Sequence, residues 1–192
     1  MPEKIEARSM QMMEPSDDGH ARGYATTFEQ PYVMFEEGGI KFYEVIDRHA
    51  LDDADMSDVV MLHNHGGMLF ARTRNKSLVL GVDEHGIPVD ADLTTTAHAR
   101  AHLEAIRIGL VDRMSWRFSV QEDSYDRDTH TRRILKIKKV YDVSTVDFPA
   151  NPETSISARD YFSARFEEER QEILKRDAIE RQKQKIKILL EV

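Results

Sequence analysis

The sequence contains no cysteine. This absence excludes disulfide bonds, a cysteine nucleophile and cysteine-based zinc sites, and it is typical of proteins in a reducing compartment. There is also no apolar run that approaches the ~20 residues needed to cross a membrane. The charged start, MPEKIEARSMQMMEP, lacks the apolar segment of a signal peptide. We therefore expect a soluble intracellular protein without a membrane partner.

Positive charge is scarce as well, because 27 lysine and arginine residues face 35 aspartate and glutamate residues and leave a net charge of −8. A general nucleic-acid-binding protein is usually basic, since it must neutralise phosphates. We therefore expect no nucleic-acid partner. Apolar residues make up 40% of the chain, which is enough for a core, and the length suits one domain with an appendage.

Three segments are predicted along the chain: a flexible N-terminal arm (1–20), a β-rich body (21–156) and a charged helical tail (157–192). Within the body, β-branched, aromatic and alternating apolar residues predict strands. The segments with this pattern are ARGYATTF (21–28), IKFYEVI (40–46), VVMLHNH (59–65), RMSWRFSVQ (113–121) and RRILKIKKVYDVSTVDF (132–148). LVLGV and IPVDADL, on either side of DEHG (83–86), predict a hairpin.

One helix is predicted inside the body. Thr94, Thr95 or Thr96 is suited to cap its N-terminus, and Gly109 is suited to its C-terminal end. Apolar residues between them recur on one face at a helical period. The residues of this face are Ala99, Leu103, Ile106 and Leu110.

The tail from residue 157 has neither glycine nor proline and is rich in helix-forming residues. Its apolar positions form an imperfect helical stripe. They are Phe162, Phe166, Ile173, Ile179, Ile186 and Leu190. An exposed apolar stripe favours association, so we expect the tail to dock on a protein partner or to pair two copies of the chain.

Histidine pairs raise the question of a metal site. We expect His63 and His65 to point to opposite faces, and therefore not to bind one ion together. His98 and His102 lie one helical turn apart, but the segment HARAH lacks the glutamate of the HExxH zinc motif and offers no third ligand. We interpret this second pair as polar-face histidines and expect no metal. The contiguous letters H-N-H do not indicate an HNH nuclease, whose residues are dispersed along the chain.

A serine nucleophile needs a positioned base, usually histidine, and a third group that orients the base. Ser115 at the start of a predicted strand, His65 and Asp142 offer such a set. Ser115 shares a strand face with Arg117 and Ser119 rather than with the apolar residues. From chemistry alone, the alternative that these are ordinary polar residues of a sheet stays open.

Six segments follow one another between residues 21 and 159: GYATTFEQ, FYEVIDRHAL, VVMLHNHGGMLFART, LVLGVDEHGIPVDADL, AIRIGLVDRMSWRFSV and VYDVSTVDFPANPETSI. In this order they resemble the prohead (procapsid-maturation) protease family of tailed bacteriophages. Each segment is loose by itself, and their common order is the specific signal. The resemblance covers the whole β-rich body.

The resemblance carries an expectation for the fold and for the site. The family is similar to the herpesvirus assemblins, which implies an α+β fold with a closed β-barrel and surrounding helices, here with a helical C-terminal extension. It implies that His65 is the general base, Ser115 the nucleophile and Asp142 the third member of the triad. It implies no metal and no organic cofactor.

The sequence departs from the family pattern at three places. Asp142 stands where the family typically has a glutamate, and Arg117 stands where it has a small residue. Gly66 and Gly67 follow the histidine, where an acid is frequent. These departures bear on activity and on substrate fit more than on the residue roles.

The function implied by the resemblance is a serine endopeptidase of capsid maturation. Its substrates would be the scaffold protein, segments of the major capsid protein, and its own termini. It would act as a dimer or higher oligomer inside the assembling procapsid, in the host cytoplasm. The alternative is a non-enzymatic capsid scaffold or assembly chaperone, which would tolerate Ser115→Ala.

Overall fold

The computed structural model describes residues 5–147 and 156–190. The chain forms two compact units, Met1–Ser155 and Ile156–Val192. Within residues 5–147, the described part of the first unit, there are ten strands, a short 3-10 helix and one α-helix. The strands are β1 (Ile5–Pro15), β2 (His20–Thr27), β3 (Tyr32–Glu37), β4 (Ile40–Ile46), β5 (Val60–His63), β6 (Gly66–Arg72), β7 (Leu78–Leu80), β8 (Gly86–Asp92), β9 (Arg113–Asp126) and β10 (Thr131–Val146). The helices are the 3-10 helix (Thr73–Asn75) and α1 (Ala97–Arg107).

The strands pair in the order β3-β4-β10-β9-β1-β2-β8-β7, and β5 joins β10 to β6. The predicted hairpin of β7 and β8 is confirmed as an antiparallel pair. Together with the C-terminal helix, the strands give the predicted α+β class. Among the described residues, the hydrogen-bonded pairing runs from β3 to β7 and does not join these two end strands to each other.

The longest strand, β10, organises this sheet because it pairs along both of its edges. Antiparallel β9 follows one edge for nearly the whole length of β10. The other edge pairs in parallel with β4 over Thr131–Ile134 and with β5 over Asp142–Thr145. The second half of β10 therefore lies between β9 and β5.

Aromatic and aliphatic side chains of β9 form part of the core. Met114, Trp116 and Phe118 are fully buried. Trp116 stacks on Phe118 with the ring centroids 4.1 Å apart. Burying a side chain of this size contributes roughly 1.5–3 kcal/mol, so this stretch of β9 is firmly fixed in the sheet.

The N-terminal segment differs from the predicted flexible arm. Residues 5–15 form β1, which pairs with β9 on one side and with β2 on the other. Glu6 and Arg8 are buried although both are charged. Besides each other, their partners Glu44 and Arg132 lie far away in the sequence, so the local pattern of this segment gives no sign that it enters the sheet.

A buried network of ion pairs connects β1 to β4, β9 and β10. Arg8 Nε lies 2.6 Å from Glu44 Oε1, and Arg132 Nη1 lies 2.8 Å from Glu6 Oε2. Arg132 also contacts Asp123 through Nε at 2.5 Å. Burial by itself would raise the pKa of Glu6, but Arg8 and Arg132 outweigh it and lower this pKa to about 2.

Helix α1 is shorter than its apolar pattern indicates. Thr96 is its N-cap, and its side-chain oxygen accepts the Ala99 N–H at 3.1 Å. The helix ends at Arg107, and Gly109 follows with a φ of 74°, a conformation that glycine adopts without strain. The prediction for Leu110 is therefore wrong, because this side chain lies beyond the helix and is 70% exposed.

The second unit is the predicted C-terminal helix, α2 (Ile156–Leu190), which is 35 residues long. Leu174 and Ile179 are each 53% exposed. Four side chains of the predicted stripe lie outside the described part of the helix; they are Phe166, Ile173, Ile186 and Leu190. Within residues 5–147 and 156–190, neither helix has both the length and the apolar character of a membrane span.

The ion-pair network makes Glu44 a test of stability. Glutamine at this position would keep the volume but remove the charge that faces Arg8 and Arg132. Removing one partner of a buried pair costs roughly 3–5 kcal/mol, because the other charge stays buried. We expect Glu44→Gln to lower the free energy of unfolding by about this amount, measured by urea denaturation with the fluorescence of Trp116, the only tryptophan.

An exposed ion pair provides the matched control. Asp18 contacts Arg22 at 2.7 Å, and both side chains are about half exposed. Exposed pairs contribute little to stability, so Asp18→Asn should leave the urea midpoint nearly unchanged. An equally small change for Glu44→Gln would contradict a stabilising role for the buried network.

Candidate active site

A tight turn presents His65. Strand β5 ends at His63, β6 begins at Gly66, and His63 pairs with Gly66 across the hairpin. The two turn residues, Asn64 and His65, have φ values of 49° and 57°. A two-residue type I′ turn requires positive φ at both central positions, and asparagine and histidine adopt it more readily than most residues.

This turn corrects the expectation that His63 and His65 lie on one strand and point to opposite faces. Residues two apart on a continuous strand would share a face. The left-handed turn is what separates the two histidines, so that each has its own partners.

The register of the sheet sets Ser115 and Asp142 beside this turn. Ser115 on β9 faces Ser144 on β10, and Asp142 faces Arg117. On the other edge of β10, Asp142 faces Val60 of β5. Because β10 lies between β9 and β5, all three predicted site residues meet around its second half.

His65 bridges the other two residues. Its Nε2 lies 2.7 Å from Ser115 Oγ, and its Nδ1 lies 2.6 Å from Asp142 Oδ1. An ionised carboxylate only accepts hydrogen bonds, so Nδ1–H donates to Asp142 and Nε2 is left to accept the Ser115 O–H. Ser115 and Asp142 are fully buried, whereas the side chain of His65 remains 18% exposed.

Three donors surround the carboxylate of Asp142. Ser144 Oγ donates to Oδ1 at 2.7 Å, and Arg117 Nε donates to Oδ2. Burial raises the pKa of Asp142, but the hydrogen bonds from His65 and Ser144, together with Arg117, hold it below its ordinary value. Asp142 is therefore a carboxylate at neutral pH, which suits the pairing with His65.

The contacts of Ser144 and Arg117 with Asp142 are not among the predicted features of the site. The alternation of strand residues could have found Ser144, because it lies two positions after Asp142 on the same strand face. As a departure from a small residue, Arg117 is expected to crowd the site or to bind the substrate chain, and neither expectation includes Asp142. Its contact with Asp142 depends on the register of β9 against β10, which no local pattern contains.

His102 is buried, which corrects its interpretation as a polar-face histidine. Its ring stacks on Phe70 at a centroid distance of 4.1 Å, and its Nε2 lies 2.7 Å from Thr145 Oγ1. Burial, reinforced by His63, lowers the pKa of His102 to about 4. The helical period contained the signal, since His102 falls between Ala99 and Leu103 on the buried face.

His63 and His98 have separate partners. His63 Nδ1 lies 3.1 Å from Thr145 Oγ1, and its Nε2 lies 3.0 Å from Asp147 Oδ1. His98 Nε2 lies 2.6 Å from the carbonyl oxygen of Leu69. In the described ranges, no group of three or more histidine, aspartate and glutamate side chains is arranged to hold a metal ion.

The comparison with known families is consistent with this geometry. A family model described as caudovirus prohead serine protease matches residues 4–172. The matched region contains all ten strands, α1 and the first part of α2. No curated protein and no solved structure matches the chain.

Proposed function

The chain belongs to the caudovirus prohead serine protease family, and on this premise we propose that Ser115, His65 and Asp142 are its catalytic residues. The family is one of serine peptidases that act in phage capsid maturation, so the chain is an enzyme of this class. The observation that carries the assignment is the continuous hydrogen-bonded series from Ser115 Oγ through His65 to Asp142. Both distances fall in the range of ~2.6–3.2 Å expected of a nucleophile, its base and the group that orients the base.

The geometry supports acyl transfer through the serine. His65 Nε2 takes the proton of Ser115 Oγ while this oxygen attacks the scissile carbonyl, and it then gives the proton to the leaving amine. Water releases the acyl group in the second half of the reaction, with His65 again as the base. Asp142 holds the imidazole in the required tautomer and stabilises its positive charge. Backbone N–H groups would stabilise the oxyanion.

The proposed substrates are the scaffold protein, segments of the major capsid protein and the termini of the protease itself. The site of action is the assembling procapsid in the host cytoplasm, and the proposed active form is a dimer or higher oligomer. Support for these targets comes from the family alone. We also propose that the strands of the first unit close into a β-barrel like that of the assemblins.

The first test of the triad is its non-additivity. Residues that act as one unit lose nearly all of their effect when any one of them is removed. We expect Ser115→Ala and His65→Ala each to abolish cleavage, and the double variant to be little worse than either single variant. Mass spectrometry of the protease co-expressed with its capsid protein measures this.

Ser119→Ala is a matched control, because Ser119 is also buried on β9 but faces Lys139 of β10, further along the strand than Asp142 and Ser144. It should retain cleavage. Near-normal processing by His65→Ala would overturn the assignment. Normal particle assembly with Ser115→Ala and no processing in the wild type would instead favour the scaffold or chaperone alternative.

The second test concerns Asp142. In a typical triad, replacing the aspartate with asparagine costs about 10⁴ in rate while the geometry stays intact, because the histidine adopts the wrong tautomer. We expect Asp142→Asn to be folded, since Ser144 still finds an acceptor oxygen, but slow by about this factor. Full activity in a cleavage assay would show that another group orients His65.

The third test concerns the proposed docking role of α2. From Arg170 to Lys183 every described side chain is exposed, and the family match ends at residue 172. We expect truncation after Glu172 to leave the melting temperature and peptide cleavage similar, but to abolish entry into assembling particles or self-association. Entry is measured by quantifying the protease in purified particles that electron microscopy has identified. Self-association is measured by analytical ultracentrifugation. If entry and self-association both persist, the far half of α2 is not a docking element.

A further inference from the structure

The backbone of the His65 turn needs support from its surroundings. Asn64 and His65 both have positive φ, and neither is glycine. Such conformations persist only where neighbouring contacts over-determine them. The direction in which His65 points depends on this backbone, so whatever holds the turn also sets the distance from His65 to Ser115.

Three hydrogen bonds tie Asn64 to the end of β10. The Asn64 backbone N–H donates to the Thr145 carbonyl at 2.8 Å. The Asn64 side-chain amide donates to Asp147 Oδ2 at 2.8 Å, and the Asp147 backbone N–H donates to Asn64 Oδ1 at 3.2 Å. The last two are reciprocal, so one amide side chain both donates to and accepts from the same residue.

The remaining oxygen of Asp147 is held as well. Oδ1 lies 3.0 Å from His63 Nε2, and the other ring nitrogen of His63 lies 3.1 Å from Thr145 Oγ1. Asp147 is a second carboxylate beside the turn, and a carboxylate is the kind of group that orients a catalytic histidine. Its contacts go to the two residues that precede His65 instead.

We propose that Asn64 and Asp147 form a positioning clamp, which fixes the His65 turn against β10 and thereby aligns His65 with Ser115. Asn64 is bonded to Thr145 of β10, the strand that carries Asp142, and Asp147 directly follows this strand, so base and orienting acid share one support. This inference rests on the proposed roles of Ser115 and His65. Asn64 and Asp147 do not touch the reacting atoms; they act through His65.

An exchange of the two side chains tests the clamp. Asn64→Asp keeps a residue that tolerates positive φ, but it removes the amide donor and sets two carboxylates against each other. A displacement of about 1 Å costs ~100-fold in rate, so we expect Asn64→Asp to react ~10- to 100-fold more slowly. Adding Asp147→Asn restores an amide opposite a carboxylate, with donor and acceptor exchanged, and should recover most of the rate.

The rate is read with a fluorophosphonate, whose phosphorus is attacked by Ser115 Oγ while fluoride leaves and His65 takes the proton. This reports the alignment of the two residues without a capsid substrate. The second readout is the downfield proton resonance of His65 Nδ1–H, which should weaken in Asn64→Asp and return in the exchanged variant. The control Asp52→Asn breaks an exposed His–Asp pair in another loop and should change neither readout.

The outcomes separate this inference from the proposed function. If the wild-type protein is not labelled at Ser115, the proposed catalytic role is overturned. The clamp is then tested by the His65 resonance alone, compared between the wild type and Asn64→Asp. Labelling of Asn64→Asp at the wild-type rate with an unchanged resonance overturns the clamp. If Asn64→Asp does not fold, Asn64→Gly replaces it, because glycine adopts positive φ without the side-chain contacts. Folded but slow Asn64→Gly supports the clamp, and a wild-type rate overturns it.

Discussion

The carboxylate of Asp142 is fully buried, and a buried charge is costly unless it is paired and hydrogen-bonded. His65, Ser144 and Arg117 satisfy its two oxygens, one from the hairpin turn, one from β10 itself and one from β9. The hydrogen bonds to this carboxylate therefore hold the β5–β6 turn, β10 and β9 together at one site. It also selects the tautomer of His65 and leaves Nε2 facing Ser115.

The middle position of β10 makes this convergence possible. A strand that pairs along both edges can hold a side chain between two neighbours, here β9 with Ser115 and the β5–β6 hairpin with His65. The first half of the same strand carries Arg132, which joins the buried ion pairs of Glu6 and Glu44. Charges buried at both halves of β10 thus depend on correct pairing of distant strands, which favours one register over its alternatives.

The left-handed turn at Asn64 and His65 concentrates local strain next to the proposed catalytic base. Strain of this kind is typical of functional sites, where the surroundings hold a residue in a geometry that it would otherwise rarely adopt. The buried His102 contacts the β5–β6 hairpin, and its lowered pKa keeps it uncharged near neutral pH. It stacks on Phe70 of β6 and contacts Thr145 of β10, and so helps to pack the hairpin on the sheet.

The sequence by itself determined the features that depend on local pattern and on the order of segments. The alternation of apolar and polar residues predicted β9 and β10, and a helical period with a threonine cap predicted α1. The order of the six segments predicted that His65, Ser115 and Asp142 would lie together. The tertiary structure decided what depends on pairing across the chain. It brought β1 into the sheet through Arg8, ended β5 before His65, and set Arg117 against Asp142. These outcomes rest on contacts between residues distant in sequence, Arg8 with Glu44, Asn64 with Asp147 and Arg117 with Asp142. A local pattern does not encode such partners.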